Sequence, residues 1–117
     1  MAIIYHTTTA EEWSAAQAAG RYTAAAQESD GFLHCSTPEQ IVATANRYYH
    51  GRHGLLLLGI DTAQVEAEVR VENLSGGSEL YPHIYGALNL NAVVAALPFE
   101  PDADGTFRRL PENAPRE

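Results

Sequence analysis

Three short segments each set a histidine among aromatic and hydroxyl-bearing side chains: Tyr5-His6-Thr7-Thr8, Phe32-Leu33-His34-Cys35-Ser36-Thr37 and Tyr81-Pro82-His83-Ile84-Tyr85. Imidazole titrates near neutrality, at an ordinary pKa of ~6.5, so it can act as acid or base under physiological conditions. If the segments are strands, their two-residue repeat puts Phe32, His34 and Ser36 on one face and Leu33 and Cys35 on the other. By the same repeat Tyr81, His83 and Tyr85 share a face opposite Ile84, and His6 lies opposite Tyr5. An apolar core does not call for such a set, because buried polar groups cost free energy unless paired. A cleft lined with hydrogen-bonding groups does. The expected site has His83, Glu79 and His34 in acid–base roles, with Glu79 four residues before His83. His6, Thr7, Thr8, Ser36, Tyr81, Tyr85 and Arg47 are its expected ligand-binding residues, although Arg47 sits where its helix could face solvent or cleft.

Each of these residues also has a plainer reading. A single strand histidine is more often structural than catalytic, and Ser36-Thr37-Pro38 is explained by a helix cap alone. It is the repetition in three segments that favours a shared site. Weaker candidates fall away on chemistry. His50-Gly51-Arg52-His53 sits at a helix end, where His and Arg suit the dipole without any metal. Cys35 alternates away from His34 and Ser36, which makes it a buried small side chain rather than a nucleophile. Gly76-Gly77 lacks the Lys and Ser/Thr of a phosphate-binding loop and leads into no helix.

The elements that must carry these residues can be read in order. Residues 2–6 are β-formers. Thr9-Ala10-Glu11-Glu12 is a capping box that starts a helix from about Glu11 to Ala19, closed by Gly20. Residues 21–30 read as an ordered loop and Gly31 to Ser36 as a second strand. Thr37-Pro38-Glu39-Gln40 reads as another helix start, with Thr as cap and Pro at the first helical position. The apolar stripe of that helix is Ile41, Val42, Ala45, Tyr48 and Tyr49, and Gly51 and Gly54 end it. Gly54 to Ile60 is a strand buried on both faces. Ala67 to Glu72 alternates as a half-exposed strand, and Ser75 to Ser78 is a flexible turn. Tyr81 to Tyr85 is a strand in which Pro82 argues for an edge or entry position. Leu90-Asn91-Ala92 is a helical turn before a last strand, Val93 to Phe99. The whole reads as one compact α+β domain over residues 1–107, with two helices early, about six strands in a split or mixed sheet, and a flexible tail at 108–117.

Composition limits the partners. The chain has 117 residues, 45% of them hydrophobic and 19% charged, as an ordinary globular domain does. No apolar run approaches the roughly 18 residues of a membrane span, and the start of the sequence shows no secretory signal. One cysteine excludes an internal disulfide, and the expected location is cytoplasmic. Seven basic against fifteen acidic residues leave a net charge of −8, which disfavours a broad nucleic-acid platform. The expected partner is therefore a small molecule.

Taken together, Ile4-Tyr5-His6-Thr7-Thr8, Gly31 to Thr37, and Leu80-Tyr81-Pro82-His83-Ile84-Tyr85-Gly86-Ala87-Leu88-Asn89 resemble the small bacterial family called domain of unknown function 952. The resemblance extends to Leu97-Pro98-Phe99 and Gly105-Thr106-Phe107, and so covers roughly residues 2 to 107. It implies an ADP-ribosyltransferase-like fold, a split sheet around a cleft for NAD. His6 would stand at the first-strand position that contacts the adenosine side, and His34 with Ser36 at the second. His83, with Glu79, would stand where that superfamily places a glutamate, glutamine or histidine beside the nicotinamide ribose. The expected function is thus binding of, or action on, NAD or an ADP-ribosyl or phosphorylated nucleotide group. One alternative is a binding module that uses the same cleft without chemistry. Another is a hydrolase with zinc on His6, His34 and His83 and Glu79 as base.

Overall fold

The computed structural model describes residues 2–25, 27–74 and 76–116, and its axis is the apolar run read from the sequence, β4 (Leu55–Asp61). β4 pairs antiparallel with β1 (Ile3–Thr9) on one side and β8 (Val93–Phe99) on the other. Alternate side chains enter two different cores. Leu55 and Leu57 pack with Ile3, Tyr5, Phe99 and Phe107. Leu58 and Ile60 pack with Ile4, Leu33, Cys35 and Ile84. Burial on both faces is why this strand carries no polar alternation, and each such side chain contributes about 1.5–3 kcal/mol of hydrophobic stabilisation.

Helix α1 (Ala10–Ala19) begins as expected: the Thr9 hydroxyl accepts from the Glu12 amide at 3.1 Å, and Gly20 ends it at φ 84°. The stretch expected as loop then forms β2 (Arg21–Tyr22) and a single turn, α2 (Gln27–Asp30). β3 is only Leu33–His34, much shorter than the strand expected over 31–36. Helix α3 (Ile41–Tyr49) starts later than expected. The Gln40 side chain reaches back to accept from the Thr37 amide at 3.0 Å, but this closes a separate turn whose residues precede the helix proper. Ile41 and Ala45 of its stripe are buried. Tyr48, expected to face the core, is 65% exposed.

A second sheet has the order β3-β6-β5, with β5 (Glu68–Glu72) and β6 (Tyr81–Tyr85). A small ribbon joins β2 to β7 (Leu88–Asn89). All these pairings are antiparallel, so the sheet is split but not mixed. β6 is central, not an edge as Pro82 suggested. The N–H that Pro82 lacks would face Cys35, just past the end of β3, so the proline stands where that pairing stops, while its carbonyl still accepts from the Cys35 amide at 3.1 Å. Residues 108–116 are packed, contrary to the expected tail. Leu110 and Ala114 lie in the core under β1 and β4, and the Tyr5 hydroxyl donates to the Pro115 carbonyl. Of the turn expected at 75–78, Ser75 lies outside the described residues, as does residue 117. Among the described residues no helix is long and apolar enough to cross a membrane.

Candidate functional site

Among the described residues the two three-stranded sheets share one backbone bridge. Tyr5 and Ser36 exchange hydrogen bonds of 2.7 and 2.8 Å, and beyond them β1 and the 32–36 segment diverge. The imidazole of His6 fills the fork. Its Nδ1–H donates to the His34 carbonyl at 2.6 Å, because a carbonyl can only accept. Its Nε2 meets the Tyr22 hydroxyl at 2.9 Å. Behind it run Tyr22 to Thr8 Oγ1 at 2.9 Å and Thr8 to Glu12 Oε1 at 3.3 Å. A neutral His6 ring accepts from Tyr22. A protonated one donates, and the chain then runs Tyr22 to Thr8 to the Glu12 carboxylate. Burial holds the His6 pKa down at about 4, outweighing the opposing pull of the His34 carbonyl and of Glu12.

The fork opens a cleft of about 610 Å³ between the sheets, α3 and the start of α1. β3 and β6 place His34 directly opposite His83 in register, with their rings 5.5 Å apart and Phe32 4.3 Å from His83. The three histidine segments are therefore neighbours, as the expected site requires. His83 is buried at 5% exposure. Its Nδ1–H donates to Glu72 Oε2 at 2.9 Å, and the Tyr85 hydroxyl donates to the same oxygen. These bonds, Tyr85's first and His83's second, hold the Glu72 carboxyl below its ordinary pKa. A carboxylate on Nδ1 fixes the imidazole tautomer and leaves Nε2 as a lone-pair acceptor for the cleft. That is the arrangement of a general base with its orienting partner.

His34 stays on the rim, with its Nε2 tied to Asp30 at 3.0 Å. Thr7, Ser36, Tyr81 and Arg47 line the cleft. Three expected residues do not. Glu79 faces out and accepts from Gln40 Nε2 at 3.1 Å. Thr8 lies behind the wall in the His6 chain. Tyr85 acts only through Glu72, beneath the Arg70 guanidinium, 4.2 Å from its ring. The carboxylate that serves His83 is thus Glu72, across the strand pair, and not its sequence neighbour Glu79. Alternation of Glu68, Arg70 and Glu72 signalled one polar face of β5, but only the register, Glu72 opposite Tyr81, brings that face to His83. Glu12, Thr44 and Tyr48 also line the cleft and were not expected there.

A three-histidine zinc site is not assembled. Both ring nitrogens of His6 are engaged, and among the described residues no group of three or more His, Cys, Asp or Glu could hold a metal. Cys35 is buried, and burial pushes its thiol far above the range in which a thiolate forms, as its place on the core face implied.

The model of a family described as a protein of unknown function (DUF952) matches residues 7–96. No curated protein matches the chain. The crystal structure of protein CC0527 from Caulobacter crescentus is 33% identical, with a TM-score of 0.81 over 91% of this chain and 93% of that one. The solution structure of the same protein superposes with a TM-score of 0.80 over 92% of this chain and 93% of that one, again at 33% identity.

Proposed function

The chain belongs to the DUF952 family, and from that premise we propose that its cleft binds a phosphorylated nucleotide, NAD or an ADP-ribosyl group foremost, with His83 as general base toward a ribose hydroxyl. One observation carries the reading: His83 Nδ1 is held by Glu72 at 2.9 Å inside a cleft, with Nε2 left without a protein partner among the described residues. His6, by contrast, has both nitrogens engaged within the protein. The volume supports it as well, since ligand clefts run from about 300 to 1,000 Å³. Phe32 and Tyr81 supply ring faces for a base or nicotinamide. The preference for NAD comes from the ADP-ribosyltransferase-like resemblance, in which a polar residue on this strand attends the nicotinamide ribose.

His6 lines the cleft with both nitrogens engaged, so on this reading it holds β1 to the His34 backbone and meets the ligand through its ring rather than through a free nitrogen. The test is an amide and histidine NMR titration of the whole chain with NAD and with ADP-ribose. Saturable shifts at Phe32, His34, Tyr81 and His83, abolished in His83→Ala, support the reading. Ligand binding that survives in His83→Ala, or no shift at millimolar ligand, refutes it. Release of nicotinamide or transfer of the ADP-ribosyl group separates an enzyme from a binding module.

A further inference from the structure

The wall of the cleft formed by α3 carries donors that His83 does not use. Thr7 is 7% exposed, and its hydroxyl has no hydrogen-bond partner among the described residues. Native proteins rarely leave such a group unpaired, and an orphan at a cleft wall points to a missing acceptor. Thr7 follows Tyr5 by two residues, so it lies on the face of β1 that Ile41 and Ala45 of α3 cover. Thr44, Arg47 and Tyr48 are three and four residues apart on α3, hence on one side of it, and all three line the same cleft as Thr7. The Ser36 hydroxyl donates to Thr44 Oγ1 at 3.1 Å, which leaves the Thr44 proton to place. Arg47 forms no ion pair among the described residues, despite the chain's acidic excess; its guanidinium lies 5.9 Å from the Tyr48 ring centroid.

The carboxylates of the cleft do not answer these donors. Glu12 takes the Thr8 hydroxyl and the Ala25 amide, and Glu72 takes Tyr85 and His83. What remains, among the described residues, is one permanent cation, the Thr7 hydroxyl proton and one proton of the Ser36–Thr44 hydroxyl pair. Ligand oxygens bearing negative charge satisfy all three, and a guanidinium fork fits a phosphoryl group in particular. We infer that Arg47, Thr44 and Thr7 form an anion subsite on the α3 wall of the cleft that holds a single phosphoryl group of the ligand. One guanidinium beside two carboxylates suits one phosphoryl group and no more. The inference rests on the nucleotide reading for where that group sits relative to His83, but the subsite can be tested without it.

Three probes on the full chain decide the matter: adenosine, AMP and inorganic phosphate, followed by amide and arginine Nε–H shifts. AMP is expected to bind about tenfold or more tightly than adenosine, the worth of one charge-assisted contact. Arg47→Gln should bring the ratio of AMP to adenosine affinity down to about one, and Thr7→Val should lower it. Phosphate alone should shift Thr7, Thr44 and Arg47 in the wild type and not in Arg47→Gln. Arg47 is exposed and Thr7→Val keeps the side chain's shape, so both variants should fold, which their amide spectra verify. Equal affinity for AMP and adenosine, or phosphate shifts unchanged in Arg47→Gln, overturns the subsite. If adenosine binds through His83 and phosphate adds nothing, the nucleotide reading stands and the subsite falls. If phosphate binds at Arg47 and neither nucleoside nor nucleotide reaches His83, the subsite stands and the nucleotide reading falls.

Discussion

His6 makes folding depend on pH in a way that can be worked out in advance. Its folded pKa is about 4 against 6.5 for a free imidazole, because folding buries the ring among Tyr22, Thr8 and the His34 backbone. The folded state therefore binds fewer protons at this site than the unfolded chain between those two values. Stability from this residue is fully present above pH 6.5 and is lost as pH falls toward 4. At ~1.36 kcal/mol per unit, a shift of about 2.5 units amounts to about 3 kcal/mol. A domain of this size is stable by only about 5–15 kcal/mol, so the loss is readily measured. The assay is urea unfolding at pH 7, 6, 5 and 4 of the wild type and His6→Gln, which has no imidazole to titrate. Groups common to both cancel in the difference, and the wild type should lose about 3 kcal/mol relative to the variant between pH 7 and pH 4. Parallel stability curves, or an NMR titration that finds His6 at its ordinary pKa, would refute the argument that burial governs this ring.

Other perturbations test other parts of the structure. Glu72→Gln should leave the fold intact but free the His83 tautomer and, on the proposed reading, weaken ligand binding by about tenfold or more, the worth of one charge-assisted hydrogen bond; the Nδ1 and Nε2 shifts of His83 report the tautomer directly. Tyr85→Phe removes the largest contribution to the lowered Glu72 pKa, so a carboxyl ¹³C titration should find that pKa moved up toward the ordinary value. Leu110→Ala should destabilise by about 2–4 kcal/mol in thermal or urea melts if residues 108–116 are core, and by almost nothing if they are a tail. Cys35 should resist thiol reagents in the native state and react at once in denaturant, because burial raises its pKa.

The strands with their own signal could be read from the sequence, and so could the faces they present. β4 announced itself by a continuous apolar run, α1 by Thr9 and Gly20, and β6 by the alternation that put His83 and Ile84 on opposite sides. Two-residue strands such as β2 and β7 have no period to detect, and the single turn α2 is too short to show one. In the site, repetition favoured a shared place for His6, His34 and His83, but only the pairing of β3 with β6 and the His6 bond to the His34 carbonyl make them neighbours, and the partner of His83 was not legible. Glu79 was near in sequence, but Glu72 is near in space, because strand register is set by turn and core and not by the two residues concerned. Residues 108–116 misled for a related reason. Prolines and charges there suggested a tail, whereas Leu110 and Ala114 fill the space under β1 and β4.

The fork held open by His6 has a consequence for how this cleft can change over generations. Among the described residues the sheets share one backbone bridge, Tyr5 with Ser36, beside a core packed from both, so the side chain just beyond the joint works as a gauge block at the open side of a closed seam. A residue at position 6 that cannot donate to the His34 carbonyl frees β1 from that segment beyond the joint, while the packed core behind it keeps the sheets together. On the proposed reading, the shape of the cleft beside the joint is therefore adjustable through one codon, at a position outside the hydrogen bonds that hold His83 to Glu72.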